Sequence, residues 1–257
     1  MKRIRAGIGG WVYPPWRGSF YPPGLKQADE LGYASRQLTA IEINGTFYGA
    51  QTPATFRRWR AAVPEGFVFS VKGPRFATHR RDLAAAAPAV ERFFASGVLE
   101  LGAALGPILW QFPPTARFEA ANLAAFCAQL PREAGGRPIR HVVEARHPSF
   151  AEAACSALLA RHGIARALVD AKDDDAKDND AKDGAVPDCE PTADFVYLRL
   201  KGAVEAEPAG YAAPALAHWA ARARSWAARR DCFVYFIDGA KIRAPAAARA
   251  FIALIAE

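Results

Sequence analysis

The stretch TAIEINGTFYG, residues 39–49, contains two polar side chains in an otherwise apolar, strand-like segment. Glu42 and Asn44 alternate with Ile41 and Ile43, and alternate residues of a strand point to the same face. A carboxylate at such a position can donate or accept a proton in catalysis when neighbouring groups tune its proton affinity. The chemistry therefore depends on which surface this polar face meets.

The same alternation occurs in two later segments, where the polar residues include cations. Glu144 and Arg146 share a face in VVEARH, and Arg199 and Lys201 share one in VYLRLKG. Burying so many charged groups without a use would be costly, so the pattern indicates a functional site. Other strand-like segments also end in polar residues, namely Lys72, Gln111, Asp170 and Asp238.

We assign acid–base catalysis to three carboxylates and one histidine: Glu42, Glu144, Asp170 and His79. Substrate binding is assigned to Asn44, Lys72, Gln111, Arg146, His147, Arg199, Lys201, Trp11 and Tyr48. Bases outnumber acids in the adjoining segments KGPRFATHRRD and DGAKIRAP, which favours a phosphate- or carboxylate-bearing ligand. No residue is assigned as a metal ligand.

Eight strand-like runs must position these residues, and helical segments separate most of them. The runs are RIRAGIGG, AIEIN, FVFSVKG, PILWQFP, HVVEARH, IARALVD, FVYLRLKG and CFVYFID. Strands that alternate with helices form a parallel sheet, and eight such units predict one (β/α)8 TIM barrel over residues 1–257. The polar strand ends then meet at the active-site face of the barrel. An open doubly wound sheet is the alternative, although no G-x-G-x-x-G follows the first strand.

The segments that connect the strands are mostly helical. TPATFRRWRAAV begins with Thr52 and Pro53, which suit the cap and first turn of a helix. Residues 82–102 are alanine-rich, with apolar residues at helical spacing. After the first strand, the aromatic loop GWVYPPWRGSFYPPG suits either stacking on a base or sugar ring or plugging one side of the barrel. We favour the plug for most of its aromatic residues.

Residues 171–191 interrupt the pattern where the sixth helix is expected. The sequence DAKDDDAKDNDAKDGAVPDCEP has almost no apolar residue to bury, which predicts a disordered acidic loop that replaces or shortens helix six. Residues 171–190 carry a charge of −5, so the remainder carries +12 within a total of +7. That excess favours an anionic ligand or partner, and surface charge that maintains solubility explains it equally well.

Composition also limits the location of the protein. No apolar run is long enough to cross a bilayer, and MKRIRAGIGG lacks the apolar region of a signal peptide. The cysteines Cys127, Cys155, Cys189 and Cys232 lack the paired spacing of a zinc site or a disulfide framework. We therefore expect a reduced, cytoplasmic protein with no membrane partner.

Several motifs resemble those of a known family. GIGGWVYPPWRGSFYP, AIEINGTFYG, FVFSVKGPRFATH, GPILWQFPP, VVEARHPSF and FVYLRLKG are similar, in this order, to signatures of the domain of unknown function 72 (YecE-like) family. The resemblance implies a TIM barrel but no activity. It also implies characteristic polar positions at Glu42, Asn44, Lys72, His79, Gln111, Glu144, Arg146, His147, Asp170 and Arg199. The chain departs from the family pattern at Phe150, at Lys201 and after the eighth strand, where a tryptophan, a histidine and asparagines are usual.

These observations leave three functions open. The favoured one is an enzyme, a hydrolase or a lyase or isomerase, that uses carboxylate and histidine acid–base chemistry on a small anionic or sugar-like substrate. The second is a phosphodiesterase that depends on magnesium or manganese held by the carboxylates; with only His79 and His147 suitably placed, a trinuclear zinc site is disfavoured. The third is a nucleic-acid-binding protein without catalytic activity.

Overall fold

The computed structural model describes residues 3–170 and 190–256, and a closed barrel of eight parallel strands forms its centre. The strands follow one another around the barrel in chain order, and the last strand pairs with the first. They are β1 (Ile4–Gly9), β2 (Ala40–Ile43), β3 (Val68–Lys72), β4 (Leu105–Gln111), β5 (His141–Glu144), β6 (Ala165–Val169), β7 (Phe195–Leu200) and β8 (Asp231–Phe236). The predicted TIM barrel is confirmed, and closure rules out the open sheet.

Helices surround this barrel. They are α1 (Glu30–Gln37), α2 (Gly45–Tyr48), α3 (Pro53–Ala62), α4 (Arg75–Thr78), α5 (Ala87–Ala95), α6 (Ala120–Ala128), α7 (Ala153–Arg161), α8 (Ala213–Ala227) and α9 (Ala244–Ala256). Short 3-10 segments cover Pro14–Trp16, Gln27–Asp29, Leu83–Ala86, Val98–Ala104, Pro148–Ala151 and Lys241–Arg243, and a hairpin joins Glu133–Ala134 to Arg137–Pro138. In the described ranges, none of the helices has the length and apolar character that a membrane span requires.

Alternation along each strand divides the apolar core into two clusters. Ile41 and Ile43 belong to the outer cluster, which fills the space between the strands and the helices. Ala40 belongs to the inner cluster, which fills the barrel together with residues such as Leu109 and Tyr197. Glu42 lies two residues after Ala40 and therefore also points inward. The predicted orientation of this strand is confirmed.

Three aromatic residues of the loop after β1, Trp16, Phe20 and Tyr21, are buried in the outer cluster of the core. Trp16 and Tyr21 are each 1% exposed, and Phe20 packs against both rings. The indole nitrogen Nε1 of Trp16 donates a hydrogen bond to the backbone oxygen of Lys241 at 2.9 Å. Burial with a satisfied polar atom is the usual structural role of tryptophan.

Residues 82–102 are helical, as the spacing of their apolar residues indicates, but the helix is interrupted. The segment contains the 3-10 turn Leu83–Ala86, helix α5 and a second 3-10 segment, Val98–Ala104. Pro88 lies in the first turn of α5, where its missing N–H is tolerated but prevents continuation from the preceding turn. Gly97 follows α5 with a φ of 96°, a left-handed conformation that ends helices.

The predicted acidic loop lies almost entirely outside the described residues, as does the position expected for helix six. The described chain leaves β6 at Val169 and resumes before β7 at Glu190. Cys189 also lies outside the described ranges, whereas Cys127, Cys155 and Cys232 are buried free thiols.

Replacing Thr52 by alanine is expected to lower the stability of the protein by about 1 kcal/mol. Thr52 caps α3, because its Oγ1 accepts a hydrogen bond from the backbone N–H of Thr55 at 3.2 Å. Thermal unfolding should show a melting temperature lower by about 2–4 °C. Thr52→Ser keeps the hydroxyl and is the control; equal melting temperatures for the two variants would contradict the capping role.

Candidate functional site

A cavity of about 690 Å³ opens at the carboxyl-terminal ends of the barrel strands. Eight of the predicted site residues line it: Trp11, Asn44, Tyr48, Lys72, His79, Gln111, Arg146 and Arg199. Glu42 and Glu144 lie next to this group and accept hydrogen bonds from Arg199 and Gln111, and Lys201 pairs with Glu144. His147 and Asp170 are not among the lining residues. Most of the predicted site residues therefore lie in or next to one cavity.

Arg199 links two carboxylates on the floor of the cavity. Its side chain is 3% exposed, and Nε and Nη2 donate to the two carboxylate oxygens of Glu42 at 3.0 and 2.9 Å. Nη1 donates to Oε2 of Glu144. Burial alone would lower the pKa of Arg199, but Glu144 and Glu42 outweigh burial and raise it. The guanidinium is therefore charged and held in one orientation.

Glu144 is surrounded by donors in addition to Arg199. Oε1 accepts a hydrogen bond from Nε2 of Gln111 at 2.9 Å, and Nζ of Lys201 lies 3.3 Å from the same oxygen. Nε of Arg146 is 3.6 Å away. Burial would raise the pKa of Glu144, but Arg199, Lys201 and Gln111 hold it well below its ordinary value. Glu144 is therefore ionised across the physiological pH range.

Lys72 has a different environment from these paired groups. It ends β3, is 7% exposed and places Nζ 4.0 Å from the centre of the Phe47 ring. Burial, followed by the charge of Arg199, lowers the pKa of Lys72 to about 8, although Glu42 opposes the shift. The amine therefore loses its proton closer to neutrality than an ordinary lysine does.

His79 lies at the rim of the cavity. It is exposed, and its ring contacts Phe47 edge to face with a centroid distance of 5.3 Å. Burial of part of the ring, with the charges of Lys72 and Arg75, lowers the pKa of His79 below its ordinary value. A neutral imidazole at this position can accept a proton.

Asp170 lies beside the cavity and connects β6 to the segment after β7. Oδ1 accepts hydrogen bonds from the backbone N–H groups of Lys201 and Gly202, and Oδ2 accepts one from the hydroxyl of Tyr211 at 2.7 Å. Burial raises the pKa of Asp170 despite these donors. Ala165 and Ala167 supply the inward face of β6, so the odd-numbered residues of that strand face the barrel interior and Asp170 does not.

His147 forms a local hydrogen-bonded turn. Its Nδ1 accepts a hydrogen bond from the backbone N–H of Ser149 at 3.1 Å and caps the 3-10 segment Pro148–Ala151. Phe150, where the family pattern has tryptophan, is 3% exposed in the same segment. These contacts orient the loop after β5 beside Arg146.

Sequence reasoning missed two tyrosines that support the site. The hydroxyl of Tyr197 donates to Oε2 of Glu42 at 2.7 Å, and Tyr211 donates to Asp170. A signal for Tyr197 existed, because it precedes Arg199 by two residues and must share its inward face. Tyr211 lies outside the strands, and its sequence carries no comparable signal.

The metal-dependent alternative requires oxygen ligands that meet at one point. In residues 3–170 and 190–256, no group of three or more His, Cys, Asp or Glu side chains is arranged to hold a metal ion. Glu42 and Glu144 instead pair with the same guanidinium. These described side chains do not fit a magnesium or manganese site.

Comparisons with known proteins agree with the sequence motifs. A DUF72 family protein from Thermotoga maritima is 22% identical, with a TM-score of 0.76 over 99% of this chain and 100% of that chain. One from Enterococcus faecalis V583 is 16% identical, with a TM-score of 0.74 over 100% and 99%. Both similarities show the fold. A search of curated proteins found no match.

The family model described as "Protein of unknown function DUF72" matches residues 5–257, nearly the whole chain. Its coverage includes every barrel strand except the first residue of β1, and it agrees with the fold of the two solved relatives. The chain belongs to the DUF72 family of TIM-barrel proteins.

Proposed function

We propose that the protein is an enzyme that binds a small anionic substrate in the strand-end cavity and transfers protons through His79. The observation that carries this proposal is Arg199, a buried guanidinium that reaches the cavity while Glu42 and Glu144 hold it in place. A preoriented cation needs no rearrangement when an anion arrives, and low solvent exposure strengthens the attraction.

The charge balance around Arg199 supports an anionic ligand. Among the described residues at the cavity, the cations are Lys72, Arg146, Arg199, Lys201 and Lys241, and the carboxylates are Glu42, Glu144 and Asp238. The carboxylates are therefore outnumbered. A phosphate or carboxylate group would offset the excess positive charge and accept charge-assisted hydrogen bonds.

The predicted catalytic carboxylates have defined roles in this proposal. Glu42 and Glu144 accept the hydrogen bonds of Arg199 and fix its direction. Asp170 fixes the backbone of Lys201 and Gly202. His79, which is exposed at the rim with a lowered pKa, is the group that exchanges a proton with the substrate.

Arg146→Met is expected to weaken anion binding about tenfold, because it removes one charge-assisted contact. Arg146 lines the cavity, and its side chain is 21% exposed. Isothermal titration with inorganic phosphate and with pyruvate, at low ionic strength, measures the affinity. The charge-matched control is Arg58→Met, because Arg58 is an exposed residue of α3 that does not line the cavity.

Two outcomes would contradict the proposal. Failure of the unmodified protein to bind either anion would remove the anion site. If Arg146→Met and Arg58→Met weaken anion binding equally, binding depends on the net charge of the protein and not on this cavity. A short single-stranded oligonucleotide serves as a third ligand: tight binding that responds equally to both variants would favour a nucleic-acid-binding protein without catalytic activity.

A further inference from the structure

Among the described residues, Lys72 is a buried lysine whose amino group forms no ion pair, although the charges of Glu42 and Glu144 act on it. Within residues 3–170 and 190–256, Nζ of Lys72 makes no hydrogen bond or ion pair, and its contact is with the face of Phe47. The side chain lines the cavity although the residue is only 7% exposed. An ammonium group with this environment has lost most of its hydration and gained one aromatic ring.

Lys201 provides an internal comparison, because it is almost equally buried at the same strand ends. It is 8% exposed, and its Nζ pairs with Glu144 at 3.3 Å and with Asp238 at 3.8 Å. Two buried lysines therefore have opposite surroundings. Lys201 pairs with two carboxylates, whereas Lys72 is next to the cation Arg199 and has a pKa of about 8.

The neutral form of an amine is the form that attacks a carbonyl carbon, and enzymes obtain it by desolvating a lysine or placing it near another cation. Both conditions hold at Lys72. At pH 7 a pKa of about 8 leaves roughly one amine in ten unprotonated. An ordinary lysine is neutral in only about one molecule in a few thousand at that pH.

We propose that Lys72 forms an imine with the carbonyl carbon of a 2-oxo acid whose carboxylate binds Arg199 and Arg146. The two arginines line the same cavity as Lys72. The carboxylate of one substrate molecule can therefore bind the arginines while its adjacent carbonyl carbon meets the amino group of Lys72. This inference rests on the proposed anion site and specifies its substrate class.

The reaction balances without an external oxidant or reductant. The lone pair on Nζ of Lys72 forms the C–N bond, and the carbonyl π electrons move to oxygen, which takes up a proton. The nitrogen then loses a proton, its lone pair forms the C=N bond, and the oxygen takes a second proton and leaves as water. His79, at the rim of the cavity, carries these protons.

Reductive trapping tests the inference on the unmodified protein. The protein is incubated with pyruvate and sodium cyanoborohydride, and tryptic peptides are analysed by mass spectrometry. Lys72 is expected to carry the reduced pyruvate adduct with roughly tenfold or greater selectivity over Lys26, Lys201 and Lys241, because its amine is desolvated beside the two arginines that bind the carboxylate. Lys72→Met should lose the adduct, while Lys26→Met, which changes an exposed lysine outside the cavity, should retain it.

Acetone, which has the carbonyl but no carboxylate, tests the role of the arginines. Labelling of Lys72 by pyruvate should exceed labelling by acetone, and Arg146→Met should lower the first but not the second. Equal labelling by both probes, or labelling spread evenly over the lysines, would overturn the inference. If pyruvate binds in the titration but leaves no adduct on Lys72, the imine fails and the anion site stands; if no anion binds, the proposed function itself fails.

Discussion

Arg199→Met is expected to lower the free energy of unfolding by about 3–5 kcal/mol at pH 7 and to abolish anion binding. Glu42 is fully buried and Glu144 is 2% exposed, and both depend on this guanidinium. Removal of one partner from a buried ion pair leaves an uncompensated charge. The cost of burying that charge exceeds the stability that the intact pair contributed. Urea denaturation and phosphate titration measure the two effects.

The effect should depend on pH in a defined direction. In the unmodified protein the pKa of Glu144 is held below its ordinary value of 4.5, so the stability from this group is present above that value and lost as pH falls below it. Without Arg199, burial favours the protonated form of Glu144. The loss in free energy of unfolding caused by Arg199→Met should therefore be largest at pH 7 and smaller at pH 5.

A combined variant distinguishes the effect of unpaired buried charges from the effect of lost packing around Arg199. Glu42→Gln and Glu144→Gln, added to Arg199→Met, should recover part of the lost stability, because no buried charge then remains unpaired at Arg199. Arg58→Met is the surface control, with an expected change within about 0.5 kcal/mol. An Arg199→Met protein as stable as the unmodified one would contradict the ion-pair network.

Lys72→Met should raise the free energy of unfolding by about 3 kcal/mol at pH 7. The pKa of Lys72 is lowered from 10.5 to about 8, and each tenfold change in proton affinity corresponds to about 1.36 kcal/mol. Methionine fills a similar volume and has no charge to desolvate. Lys72→Met should therefore gain stability while it loses the proposed function of the amine, because the folded protein holds Lys72 in an unfavourable environment.

The pH dependence gives an independent check. Because the folded-state pKa of Lys72 is below its unfolded value, the unfolded chain binds more protons between pH 8 and 10.5. The contribution of Lys72 to stability therefore rises with pH across this window, and Lys72→Met should lack that contribution. Lys201→Met is the matched comparison and should destabilise the protein, because Glu144 loses a cation. A lower stability for Lys72→Met at pH 7 would contradict the assignment.

The sequence alone determined the architecture and predicted eight of the residues that line the cavity. Eight strand-like runs separated by helical segments predicted the barrel, because parallel strands need crossovers of this length. The alternation of Ile41, Glu42 and Ile43 predicted which side chains face inward, since the period of a strand is two residues. These local patterns do not depend on how the strands close into a barrel.

The pairing of the site residues was decided only by the tertiary structure. Arg199 is 157 residues from Glu42 and 55 from Glu144, and only closure of the barrel brings β2, β5 and β7 to one point. Within the described ranges, the same closure leaves the amino group of Lys72 without a carboxylate partner, while Lys201 acquires two. Sequence patterns report which face a side chain occupies, but the partner across the barrel depends on strand register and stagger. For that reason the roles of the two lysines became distinguishable only in the folded protein.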